Sequence, residues 1–216
     1  MKAYRIAASN AELLDPRGAK WGNVPAETIT LAPTPIAALV GNVSPFLAVD
    51  STDHGKIDSV SVSIAHNGEA LAVRLSWKCE RHDAIKDLNE FVDGTAVLFP
   101  MSAAANAVTM GAKGAPVNAW YWKANHSQEP YDVIAEGFGS SERRSAKISG
   151  LMSKADYADG AWTVVLCRPL SAGRGHVRFM PGKSSRIAMA VWDGGNLERS
   201  GRKSFSGEFV TLDIQK

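Results

Sequence analysis

The residues of this sequence best suited to chemistry lie together between Val108 and Ala124, in VTMGAKGAPVNAWYWKA. There a Met-Gly pair, Met110-Gly111, opens a glycine-rich loop that runs into a strand-like segment carrying Trp120, Tyr121 and Trp122. A methionine thioether is a soft ligand for iron, Gly111 and Gly114 let a bulky planar ligand approach the backbone, and aromatic side chains line apolar pockets. Composition alone allows a second reading, in which Met110 fills a gap in a core, a use that suits its flexible side chain. Trp120 and Trp122 are candidate pocket residues on the first reading and ordinary interior residues on the second.

Other chemistries find less support in the residues. The five histidines, His54, His66, His82, His126 and His176, are scattered one per segment with no H-x-H or H-E-x-x-H spacing, so a zinc site would need a chance convergence. Carboxylate pairs such as Asp156 and Asp159, or Glu80 and Asp83, fall in turns and charged loops, where solvated side chains are commoner than acid/base pairs. No P-loop is present, and no G-x-G-x-x-G stands between a strand and a helix, which disfavours nucleotide binding. Cys79 and Cys167 are too few for an iron-sulfur cluster, and neither lies in a C-x-x-C-H motif, so any haem would be held non-covalently. Both cysteines sit in apolar, strand-like stretches and are expected as buried small residues rather than as a disulfide.

The elements that must position these residues read as strands. Val60, Val62 and Ile64 alternate with polar residues, Asn67-Gly68 makes a turn, and Leu71, Val73, Leu75 and Trp77 alternate again, which predicts a hairpin. Similar runs occur at Thr95 to Phe99, Val117 to Trp122, Trp162 to Cys167, Arg186 to Trp192 and Glu208 to Ile214. Asp159-Gly160 and Gly194-Gly195 mark turns between them. Short helices are expected at Ala11 to Leu14 and Ala84 to Phe91, and either a helix or a solvated loop at Glu142 to Ser153. The expected fold is all-β: an antiparallel β-sandwich with a few short peripheral helices, in a single domain over residues 1–216.

Bulk properties narrow the partners. The 216 residues include 24 basic and 22 acidic ones, interleaved to a net charge of +2, so there is no basic stripe for nucleic acid. The longest apolar runs fall short of the roughly 20 residues that span a bilayer, so a soluble protein is expected. The first residues, MKAYRIAASNAELLDPRG, lack the apolar core of an export signal.

Four segments taken together carry a family resemblance: FVDGTAVLFP (residues 91–100), VTMGAKGAPVNAWYWKA (108–124), GAWTVVLCRPL (160–170) and IAMAVWDGGNLERSGRKSFSGEFVTLDI (187–214). In order and spacing, and with NVSPFLAV (42–49) before them, they resemble the haem b-binding gamma subunits of ethylbenzene dehydrogenase-type molybdenum enzymes. The wider family includes gamma subunits of dimethylsulfide dehydrogenase, selenate reductase, chlorate reductase and steroid side-chain dehydrogenases, and this sequence is most similar to the hydrocarbon-oxidising branch.

The resemblance implies a sandwich holding one non-covalent haem b with a methionine and a lysine as axial ligands. The matching positions are Met110 and Lys203. Met101 competes with Met110 but follows Pro100 at a strand end, where the family pattern has an apolar residue. Arg202 cannot serve beside Lys203 because guanidinium keeps its proton, whereas a buried lysine can lose one. Lys113 and Lys123 are alternatives that suit solvated charges or partners for haem propionates. Phe205 and Phe209 join Trp120 and Trp122 as candidate pocket residues.

The resemblance also implies partners. A molybdenum alpha subunit would take two electrons from a C–H bond of an ethylbenzene-like compound or a steroid side chain, and an iron-sulfur beta subunit would relay them. The haem of this chain would pass them to a soluble acceptor such as a cytochrome. The heterotrimer is expected in the periplasm, this chain crossing with a signal-bearing partner. A carbohydrate-binding β-sandwich module, presenting Trp and Tyr to sugar rings, is the competing expectation.

Overall fold

The computed structural model describes residues 1–35, 37, 53–85, 87 and 90–216, so NVSPFLAV lies outside the described residues. The hairpin forms as the alternation predicts, with β4 spanning Ser59–His66 and β5 spanning Ala70–Lys78. Its turn is closed by Asn67, whose Oδ1 accepts from the amides of Glu69 and Ala70 at 3.0 and 2.9 Å, while Gly68 takes a φ of +96°. The remaining strands are β1 (Lys2–Arg5), β2 (Glu27–Thr30), β3 (Ala32–Pro33), β6 (Gly94–Pro100), β7 (Val117–Lys123), β8 (Tyr131–Ala135), β9 (Glu142–Arg144), β10 (Met152–Ala158), β11 (Ala161–Pro169), β12 (Ser184–Trp192), β13 (Ser204–Phe205) and β14 (Val210–Ile214). Among the described elements, the short α-helices α1 (Asn10–Leu14) and α2 (Ala146–Ser149) are peripheral.

The strands run in the order β10-β11-β5-β4-β1-β14-β12-β6-β7-β8-β9, and this path folds over on itself at β12. Ser184 to Ile187 pair with β14 in one layer, and Ala188 to Trp192 pair with β6 in the other. The two layers are the faces of an all-β sandwich. Between them lie Val73, Leu75, Val97, Trp120, Trp122 and Ile187, all inaccessible to solvent, with Trp77 and Trp162 beside them. Fully burying one such large side chain stabilises the fold by about 1.5–3 kcal/mol.

The pairing differs from a purely antiparallel sandwich at one strand. β1 pairs in parallel with both β14 (Lys2↔Asp213) and β4 (Ala3↔Ile64). A strand at the chain terminus needs no tight hairpin to either neighbour, so parallel pairing is open to it. The stretch from Glu142 to Ser153 resolves into β9, α2 and the start of β10, with Gly150 ending the helix at a φ of +69°. Within Ala84 to Phe91, where a helix was expected, Asp87 and Glu90 form an isolated β-bridge, and residues 86, 88 and 89 lie outside the described residues. Among the described residues no helix is long and apolar enough to cross a membrane.

Candidate functional site

Side chains on a strand alternate between its faces, and β7 shows what this does here. Asn118, Trp120 and Trp122 turn into the sandwich, whereas Ala119, Tyr121 and Lys123 turn outward and line a cavity of about 510 Å³. That volume lies within the range of roughly 300–1,000 Å³ usual for small-molecule sites. Register carries the outward face across the layer: Ala96 of β6 is opposite Tyr121, and Val133 of β8 is opposite Ala119. Ala96, Ala119 and Val133 make a low apolar floor, with Phe91, Tyr121 and Trp192 around it.

Met110 is on the wall of this cavity. It sits in the loop between β6 and β7 with a φ of +58°, a left-handed conformation uncommon for a residue with a side chain. The loop holds it there. Asn106 Oδ1 accepts from Val108 N and Thr109 N, Gly111 N donates to Asn106 O at 2.7 Å, and Gly137 N donates to Met110 O at 3.0 Å. Gly111 is required at its position: φ is +89°, and a Cβ would stand 2.7 Å from Ala135 O and 2.9 Å from Ala115 O. Met110 is half-buried and packs with Ala105, Ala115, Val117, Ala135 and Phe209. Met101, the competing methionine, packs against the main core instead.

Lys203 lies against Trp192, a residue of the cavity wall. It precedes β13, and the β12–β13 register, Ala190↔Phe205 and Val191↔Ser204, continues to place it opposite Trp192. Its Nζ lies 5.6 Å from the centre of the Trp192 ring, which lines the cavity; Lys203 itself is not exposed there. Lys203 is 7% exposed and its ammonium has no hydrogen-bond or carboxylate partner among the described residues, so burial pushes its pKa down to about 8. Its backbone is tied to β3 through Thr34 N, which donates to Lys203 O at 3.0 Å.

The remaining sequence candidates separate by position. Trp120 and Trp122 are corrected from pocket residues to core residues: both are 0% exposed on the inner face of β7, and strand alternation keeps them off the cavity. The residue between them, Tyr121, is the aromatic that reaches it. Phe205 packs with Ala96, Ala190 and Trp192 on the cavity's side of the layer. Lys123 lines the cavity, and Lys113 is exposed on the loop. Arg202 is buried with its Nε unpartnered.

The loop leading to Lys203 is fixed by two buried acids that sequence reading did not single out. Glu198, 1% exposed, accepts through Oε1 from Gly55 N, Lys56 N and Asn196 Nδ2 at 2.7, 3.0 and 3.0 Å, and through Oε2 from Asp193 N at 3.1 Å. Asp93, fully buried, accepts from Asp83 N, Trp162 Nε1 and Gly194 N at 3.0, 2.8 and 3.0 Å, and burial pushes its pKa up despite them. Cys79, Asp93 and Asp193 gather within 4.8 Å of one another, but the hydrogen bonds of Asp93 and of Asp193 to Asn196 N spend these carboxylates on backbone. Cys79 and Cys167 are both buried and unbonded.

These residues fit a haem. The floor is apolar, a thioether stands on its wall, and a buried amine with no acceptor among the described residues lies against a ring of the same wall. The signal for the floor was present in the sequence as alanines at outward positions, Ala96 and Ala119, between large inward residues.

The sequence profile of the family described as Ethylbenzene dehydrogenase matches residues 19–153 and 144–204. A heme subunit of respiratory nitrate reductase, so named in Haloferax mediterranei, is 32% identical over 88% of this chain; the chain spans 65% of that relative's length. Chlorate reductase subunit gamma of Ideonella dechloratans is 29% identical over 96% of this chain and 82% of its own. Dimethylsulfide dehydrogenase subunit gamma of Rhodovulum sulfidophilum is 26% identical over 91% of this chain and 73% of its own. In three dimensions the chain is similar to a family 9 carbohydrate-binding module from Caldicellulosiruptor kristjanssonii, solved with glucose. The TM-score is 0.56 at 9% identity, over 100% of this chain and 95% of the module, a likeness of fold alone. The profile match across most of the sequence and the named relatives agree: the chain belongs to the ethylbenzene dehydrogenase family, in the group of its gamma subunits.

Proposed function

We propose that this chain holds one non-covalent haem b with Met110 and Lys203 as the two axial ligands and moves electrons within an oxidoreductase complex without itself being a catalyst. The observation that carries this reading is a held thioether on the wall of an apolar cavity together with a buried amine, without a hydrogen-bond or carboxylate partner among the described residues, lying against the Trp192 ring of that wall. Haem b, when bound, supplies one-electron redox chemistry. The residues of the chain supply the rest. Met110 offers a soft donor that favours the reduced state, and Lys203 offers a harder one that favours the oxidised state. With both donors engaged, no coordination position is left for oxygen or a substrate. The flexible stem of Lys203 gives Nζ the reach to enter the cavity, and its burial lowers the cost of shedding the proton that ligation requires. Phe91, Tyr121 and Trp192 exclude water around the ligand.

The relatives named as gamma subunits of chlorate reductase and dimethylsulfide dehydrogenase support the same assembly here. A molybdenum alpha subunit would carry catalysis, an iron-sulfur beta subunit would exchange electrons with this chain, and an external acceptor such as a cytochrome would complete the route. The family's description favours a hydrocarbon substrate for the alpha subunit, ethylbenzene-like or a steroid side chain. The complex would lie in the periplasm; its recovery only from cytoplasm on fractionation would contradict that.

The test is an optical spectrum of the purified protein reconstituted with haem b, oxidised and then reduced with dithionite. A b-type, low-spin spectrum is expected. A protein that stays colourless and instead binds glucose polymers would replace this reading with that of a sugar-binding sandwich.

A further inference from the structure

Two guanidinium groups open onto the cavity from separate segments, and neither is paired with a carboxylate among the described residues. Arg143 lies in β9, and its register partner Val133 is part of the cavity floor. Its Cζ stands 4.5 Å over the ring of Tyr131. Arg199 lies in the loop between β12 and β13, with its Cζ 4.3 Å over the ring of Phe91 and its Nη1 donating to Leu197 O at 3.2 Å. Arg17, Arg81 and Arg144 are each paired with a carboxylate, of Asp156, Asp83 and Glu142. Arg143 and Arg199 have no such partner among the described residues. Glu198 also lines the cavity, but its two oxygens accept from four N–H donors and form no ion pair with Arg199 among the described residues.

An arginine steadied on an aromatic face and lacking an acid partner keeps most of its five donors for a ligand, in a planar fork that matches a carboxylate. Arg143 is exposed and Arg199 half-buried, so both stand at the rim while the floor beneath is apolar. The ligand this describes is flat and apolar over its body and carries carboxylates at one edge. We propose that Arg143 and Arg199 each bind one of two carboxylates on the edge of the planar ligand, and so determine which way round it enters. This rests on the haem reading, in which the two groups are the propionates; axial ligation by itself does not select an edge.

The test is titration of the apo-protein with haem b and with haem b dimethyl ester, followed by absorbance, for the wild type, Arg143→Gln, Arg199→Gln and the double variant. Losing one charge-assisted hydrogen bond should weaken haem b binding about tenfold per substitution, and about a hundredfold in the double variant. The ester should bind all four proteins alike, which also shows that the variants are folded. The midpoint potential of the double variant with haem b should fall, because a lost cation no longer favours the reduced state. Equal binding of haem b and its ester by the wild type, or an unchanged haem b affinity in the double variant, would overturn the clamp and leave the haem reading standing. If neither compound binds the wild type, both readings fail together.

Discussion

The layer formed by β12, β6, β7 and β8 has a buried cation on each side, and the two are treated in opposite ways. On the core side Arg168 is 0% exposed. It donates to Asn118 Oδ1 at 2.8 Å and to Val177 O, and stacks over the Trp120 ring at 4.9 Å. Asn118 in turn donates to Asp132 Oδ1 at 2.5 Å, and Asp132 Oδ2 lies 3.4 Å from His176 Nε2. Burial lowers the Arg168 pKa to about 10, with the charge of Asp132 opposing. On the cavity side Lys203 is 7% exposed, has a ring but no acceptor among the described residues, and burial lowers its pKa from the ordinary lysine value to about 8. A buried charge with acceptors is stabilised by the scaffold, whereas one without them costs folding free energy, a cost that the proposed ligand would offset.

The sharpest way to break this comparison is to remove each cation. Arg168→Met should destabilise the apo-protein by about 3–5 kcal/mol in urea unfolding, because Asn118 Oδ1 and Val177 O lose their buried donor and Asp132 loses the charge that offsets its own. Lys203→Met should do the reverse, adding on the order of 1–3 kcal/mol at pH 7. The sign follows from proton linkage. The folded-state pKa of Lys203 lies below its unfolded value, so the unfolded chain binds more protons between them, and its cost to stability is full below about pH 8 and fades toward pH 10. The advantage of Lys203→Met should therefore shrink over that interval, and a constant difference would place the Lys203 amine in contact with water or an acceptor.

Smaller effects test the cavity's frame. Gly111→Ala should cost about 2 kcal/mol or more in the same measurement, since the left-handed backbone and the two carbonyls facing its Cβ leave no relaxation. Ala119→Leu should change stability by less than about 1 kcal/mol, because its side chain extends into open cavity rather than into packed core. The same substitution should abolish haem uptake by spectrophotometric titration, and retained uptake would remove the alanine floor from the account.

What could be read from the sequence was what local signals encode. The β4–β5 hairpin announced itself by strict alternation around Asn67-Gly68, and Met110-Gly111 by a residue pair whose backbone needs are unusual. The inward or outward sense of Trp120, Tyr121 and Trp122 was not legible, because β7 has large side chains on both faces and only packing against the second layer selects one. Arg143 was hidden for another reason: β9 is three residues long and exists only through its pairing with β8. Lys203 is singled out by family resemblance alone, since the adjoining β13 is two residues with no periodicity of its own. Glu198 and Asp93 were missed because their partners are backbone amides distant in sequence, which no spacing rule registers.

The most direct test of the central claim is the low-temperature electron paramagnetic resonance spectrum of the ferric protein, comparing wild type with Met110→Ala and Lys203→Ala. The account predicts a low-spin signal in the wild type that converts to high spin in each variant, because each removes one axial donor. A low-spin signal unchanged in either variant would show that the iron is held by other residues.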